Sequence, residues 1–155
     1  MFGYALAAAL LLKVPLALAA AAGLVDGPTI VEPDATLIVA GKRIVLDAVY
    51  VPEGGRHCDT ATSPPRCGSR AALALESKIQ GFVACEPSAA TRDGRAAARC
   101  RVGRTPFFEG EDLGLYLIRL GLALATPTAP FAYHAEERIA RERGRGVWGT
   151  NVDRR

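Results

Sequence analysis

The side chains best suited to chemistry in this sequence are its four cysteines, its two histidines and an aromatic pair set among arginines. Cys58, Cys67, Cys85 and Cys100 lack the paired C-x2-C spacing of zinc sites, so in an exported chain an even set reads as disulfides rather than a metal centre. Three pairings are possible. Cys85 and Cys100 lie on apolar, strand-like segments either side of a turn at Ser88 to Gly94, so a hairpin brings them face to face. Cys58 and Cys67 then close a short loop around Ser63-Pro64-Pro65. His57 and His134 are far apart in sequence and read as surface residues. Phe107 and Phe108 stand near Arg101 and Arg104, a combination that stacks on bases in single-strand binders, although core or loop packing is the simpler expectation.

These residues need elements to hold them. Thr36 to Val39 and Arg43 to Val49 are β-branched runs joined by Ala40-Gly41-Lys42, a tight hairpin. From Ser69 to Gln80, Ala72, Leu75 and Ile79 fall on one helical face. Phe82 to Glu86 and Arg95 to Val102 form the cysteine hairpin. Asp112 caps a second helix with Leu113, Tyr116, Leu117 and Leu120 on one stripe, ended by Gly121. A third helix runs from Phe131 to Arg143 with Ala132, Ala135 and Ile139 inward, after which Trp148 folds back as a core anchor. Strands that surround one helix predict a β-rich α+β fold, a small closed barrel with helices outside.

The chain has 155 residues and a net charge of +3, which predicts one domain and no strong nonspecific grip on nucleic acid. Arg138, Arg141, Arg143, Arg145, Arg154 and Arg155 read as a solvated helix face and tail. Residues 1–22 are apolar and end in small residues, as a cleaved signal peptide does. The rival is an uncleaved anchor, against which Lys13 costs ~2.5–3.5 kcal/mol in a bilayer. Residues 23–33 read as an extended lead-in, 34–149 as the folded domain and 150–155 as a tail. Export places the protein in the periplasm or outside the cell.

The stretch Lys42-Arg43-Ile44-Val45-Leu46-Asp47-Ala48-Val49-Tyr50-Val51-Pro52-Glu53 resembles the hairpin and I-R-L-x-G-I-D-x-P-E run of the thermonuclease (staphylococcal-nuclease-like) family. Cys67-Gly68 before Ala71-Ala72, Val83-Ala84-Cys85, Asp93-Gly94-Arg95 before Ala98-Arg99-Cys100, Leu117 to Ala123, and Tyr133-x-Ala135-Glu136 through Gly146-Val147-Trp148 follow in the family's order. The resemblance implies a five-stranded OB-fold barrel with three helices, and calcium-assisted phosphodiester hydrolysis as the ancestral chemistry. In that chemistry two aspartates hold calcium, two arginines clamp the phosphate, and a glutamate orients the attacking water.

Residue by residue, the resemblance implies mostly loss. Glu53 matches the water-activating glutamate and Arg95 the second arginine. Val45 occupies the first arginine's position and Tyr50 that of one metal aspartate, while Ala35, or Pro28 in another register, stands at the second. Arg43, on the same strand face, could cover part of the gap left by the lost arginine, and Asp34 and Asp47 could supply carboxylates only with a backbone shift. Glu53 and Arg95 could instead pair across the barrel rim. The expectation is a non-catalytic or severely weakened binding module without a cofactor, calcium entering only if neighbours compensate. Its partners would be nucleic acid or another anionic ligand, and a membrane only through an uncleaved N-terminal segment. The alternative is an active extracytoplasmic nuclease using Glu53 and Arg95.

Overall fold

A computed structural model describes residues 23–52, 57–59, 66–90 and 95–149. Residues 1–22, expected as a signal peptide, Glu53 and the expected tail at 150–155 lie outside these residues. Among them, five strands close a mixed barrel and three α-helices pack against it, as expected of an OB-fold.

The first strand, β1 (Val25–Val31), corrects the reading of that segment as a lead-in. It pairs with two neighbours in succession: Val25 to Pro28 with β7 (Phe82–Ala90), then Thr29 to Val31 with β2 (Leu37–Val39). Pro28 sits where the partner changes, so its missing N–H interrupts neither ladder midway. Gly27 also suits a strand here, because a Cβ would come within 2.9 Å of the Ala40 Cβ.

β2 turns through Ala40 and Gly41, at φ 48° and 79°, into β3 (Lys42–Leu46). Two positive φ values in a two-residue loop are those of a type I′ turn, whose twist matches the strands it joins. β7 pairs antiparallel with β8 (Ala96–Val102), and β8 closes the barrel by pairing parallel with β3. β7 runs on to Ala90, beyond the expected end at Glu86, with an irregularity between Pro87 and Ala89. The Ser88 hydroxyl there donates to the Ala97 carbonyl. Cys85 opposes Cys100, and the two form a disulfide at the centre of the core. Closing a loop of this length stabilises a fold by about 3 kcal/mol.

Shorter pairings complete the frame: β4 (Val49–Tyr50) with β10 (Leu124–Ala125), β5 (His57–Asp59) with β6 (Arg66–Gly68), and β9 (Glu111–Asp112) with β8. The β5–β6 register sets Cys58 opposite Cys67. Their side chains lie outside the description.

Helix α1 (Arg70–Lys78) is capped by Ser69, whose hydroxyl accepts from the Ala72 N–H, and it buries Ala71, Ala72 and Leu75 against the barrel. Helix α2 (Leu113–Arg119) is capped by Asp112 as expected, but buries Leu113, Gly114, Leu117 and Ile118. Its stripe is thus rotated from the one predicted: Tyr116 is half-buried under Lys78, and Leu120 is exposed. Helix α3 (Phe131–Glu142) departs further. Tyr133 and Ala140 are buried, whereas Ala132 and Ile139 face solvent. Polar contacts orient it, with Glu136 on Arg119 and Glu137 accepting from the Ala125 N–H, which apolar periodicity does not register. Trp148 is half-buried with its ring 4.2 Å from the Arg141 guanidinium, a surface stack rather than a core anchor. No helix among the described residues is long and apolar enough to cross a membrane.

Candidate functional site

The site is built by strand register. Leu37 on β2 pairs with Ile44 on β3, which pairs with Ala96 on β8. Thr36 and Arg95, each one residue earlier, are thereby set either side of β3, and Arg43 occupies the position next to Arg95. This is the strand 2–3 face and the adjoining loops, where OB-folds bind oligonucleotides and oligosaccharides.

Across from the arginines is the turn between β1 and β2. The Ala35 N–H donates to the Glu32 carbonyl and the Glu32 N–H to the Thr36 carbonyl, with Pro33 and Asp34 between them. Ala35 adopts φ 68°, a left-handed conformation that costs an alanine roughly 1–2 kcal/mol. The conformation presents Asp34 to Thr36: one carboxylate oxygen accepts from the Thr36 N–H at 2.9 Å and the other from its hydroxyl at 3.0 Å. Arg95 Nη1 donates to the same hydroxyl at 3.1 Å and lies 3.7 Å from Asp34 Oδ2. Thr36 Oγ1 thus receives one proton from arginine and gives its own to aspartate, which satisfies a side chain that is only 2% exposed. Partial burial pushes the Asp34 carboxyl up, but the two Thr36 bonds and the Arg95 charge outweigh it and hold the group below the usual aspartate value.

Arg43 contacts the first residue of the same turn, its Nη2 lying 2.7 Å from Glu32 Oε2. The contact is ionic, since the N–H is not aligned on the oxygen as a hydrogen bond requires. One five-residue turn therefore places a carboxylate against each guanidinium.

The predicted positions fall around this cluster unequally. Val45, half-buried, pairs with Ala97 and offers no donor. Ala35 is buried, with only a methyl group. Tyr50 is exposed on β4, opposite Leu124, and Asp47 is half-buried with its N–H donating to the Ala98 carbonyl. The expected pairing of Glu53 with Arg95 lies outside the described residues, as do Asp93, Gly94 and the His57 side chain. His134 is half-buried on α3. Phe107 and Phe108 are exposed rather than packed in the core or a loop. Sequence reasoning missed Glu32 and Thr36 as partners. The legible signal was Pro33-Asp34-x-Thr36, because aspartate two residues before threonine after a proline is the signature of a side-chain-closed turn.

No family model matches the chain. The chain is similar to the succinoglycan biosynthesis protein ExoI of Rhizobium meliloti (strain 1021), 28% identical over 133 residues, which cover 83% of this chain. It spans 66% of that relative's length. The Cys85–Cys100 disulfide is of a kind that persists in oxidising compartments.

Proposed function

We propose that this protein is an exported binding module on a thermonuclease-like OB barrel, with phosphodiester hydrolysis lost or severely weakened and an anionic ligand received at the Arg43–Arg95 face. The observation that carries the loss of catalysis is the internal matching of charge: Arg43 is held by Glu32 and Arg95 by Asp34 and Thr36, so an anion at this face competes with those carboxylates and is held only weakly. A scissile phosphate needs a surplus of positive charge to offset what develops as water attacks. A calcium ion needs several convergent oxygens, and Ala35 supplies no side-chain oxygen while Tyr50 offers only a phenol. That the similar protein is one of succinoglycan biosynthesis supports a place for such a module in the cell envelope, periplasmic or secreted.

Asp34 favours a second reading, a weak extracytoplasmic nuclease working with Glu53 and Arg95. The twisted turn brings its carboxylate beside Arg95, one residue from the position where the family's aspartate stands. Digestion of single-stranded and duplex nucleic acid, with calcium and then with chelator, separates the two. We expect no cleavage and weak, salt-sensitive binding. Calcium-dependent cleavage abolished by Glu53→Ala would replace the first reading with the second.

A further inference from the structure

Away from that site, roughly 23 Å along β8 from Arg95, the described surface gathers exposed apolar side chains. Phe107 is fully exposed, and Phe82, Phe108 and Leu24 are each more than half exposed. Phe107 is held out by a closed turn: the Thr105 N–H donates to the Phe108 carbonyl at 2.8 Å, the Phe108 N–H donates back at 3.2 Å, and Pro106 fixes the backbone between. Phe108, Phe82 and Leu24 are linked through two hollows. Phe108 and Phe82 line a hollow of about 330 Å³, and Phe82 and Leu24 line a second of about 310 Å³ that shares Gln80 and Gly103 with it. An apolar cluster of this kind marks an interaction surface.

The surrounding charges decide what it meets. Arg101 pairs with Glu109, Arg104 with Glu86 and Lys78 with Glu111. Each basic side chain at the cluster carries its own acid, so a polyanion finds no surplus charge, against the base-stacking role that Phe107 and Phe108 suggested in sequence. Long basic stems beside apolar rings suit a boundary between hydrocarbon and water, where the stem is buried and the charge stays wet. A projecting turn tip likewise suits a soft phase it can enter. Where the apolar stretch Tyr4 to Ala22 is kept as an anchor, the chain reaches this face at Leu24 directly from it, so lipid that holds either is within reach of the other.

We propose that this face rests on a lipid bilayer, with Phe107 and Phe108 entering the boundary between headgroups and acyl chains and Phe82 and Leu24 covering the surface beside them. With each base paired and a further acid, Asp26, lining the second hollow, the docking gains nothing from anionic headgroups. The test uses the full chain carrying Phe107→Trp, read against the parent protein, whose one tryptophan is Trp148, and mixed with phosphatidylcholine vesicles with plain or brominated acyl chains. We expect the added indole emission to shift to shorter wavelength on vesicles and to be quenched by brominated chains, with Phe108→Asp in the same background returning it toward its aqueous position. Adding anionic lipid should not enlarge the shift. Emission that ignores lipid overturns the proposal, as does a shift produced without lipid by an oligosaccharide or by raising the protein concentration, which would assign the face to a glycan or to a second copy.

Discussion

The phenol oxygen of Tyr133 on α3 lies 2.8 Å from both carboxylate oxygens of Asp112, to which it donates its one proton, while Asp112 also accepts from the Leu115 N–H as the cap of α2. Arg99 on β8 stands 3.8 Å from the same carboxylate. One side chain thus joins both later helices to the barrel. Gly114 is part of the arrangement, because a Cβ there would lie 3.3 Å from both Asp112 Oδ1 and the Tyr133 hydroxyl.

Removing the phenol hydroxyl should therefore cost more than a surface substitution. A hydrogen bond to a charged group contributes about 1.5–3 kcal/mol, so Tyr133→Phe should lower stability by that order in urea denaturation. Asp112→Ala, which also removes the cap and leaves the buried hydroxyl unpaired, should cost more. Equal stability of Tyr133→Phe and parent would show that the contact contributes nothing.

The same contact sets an alkaline limit. Burial first, and then the Asp112 carboxylate, push the Tyr133 phenol well above its ordinary value, so the folded state holds it neutral where the unfolded state ionises. Its contribution is complete below about pH 10, the unfolded value, and is lost as pH rises beyond it. Denaturation midpoints above that pH should fall less steeply in Tyr133→Phe than in the parent.

At the strand face, Glu32→Gln with Asp34→Asn should remove the two negative charges set against the guanidiniums. Affinity for a single-stranded oligonucleotide should rise, and the salt dependence of binding should steepen by about one to two counterions. Asp34 carries an acid signature too. Because its folded pKa is depressed, its stabilisation is present above the unfolded value of about 4 and is lost as pH falls through the folded one, so Asp34→Asn should flatten the acid limb of thermal stability.

Two glycines with positive φ should respond unequally to alanine. Gly41 has open space around it, so Gly41→Ala should cost only the left-handed backbone penalty of about 1–2 kcal/mol. At Gly121 a Cβ would fall on the Arg145 carbonyl, where the Gly146 turn packs backbone against backbone and the Val147 N–H donates to the Gly121 carbonyl. Gly121→Ala should therefore destabilise more and displace the Gly146–Trp148 turn, which a change in Trp148 fluorescence would report.

Alternation, caps and turn residues made most of the barrel legible in advance. The Ala40-Gly41 hairpin, the Ser69 start of α1, the Asp112 cap and the facing pair Cys85 and Cys100 are local or near-local features, each specified by side chains close in the chain. The family resemblance supplied the OB topology, which periodicity could not. β1 reads as a lead-in from sequence because its proline and glycine argue against a strand; the partner change at Pro28 and the close approach of Ala40 to Gly27 are what accommodate them.

The sequence by itself determined which side chains stand at the positions the resemblance implies: Val45 and Ala35 carry no charge, donor or oxygen, and Tyr50 carries a phenol where the resemblance implies a carboxylate. Only the tertiary structure decided what the remaining charges do. Glu32 and Asp34 meet Arg43 and Arg95 because β2, β3 and β8 align in one register and Ala35 accepts a left-handed backbone. Pairings across strands far apart in the chain are chosen by barrel closure, and no local pattern encodes them.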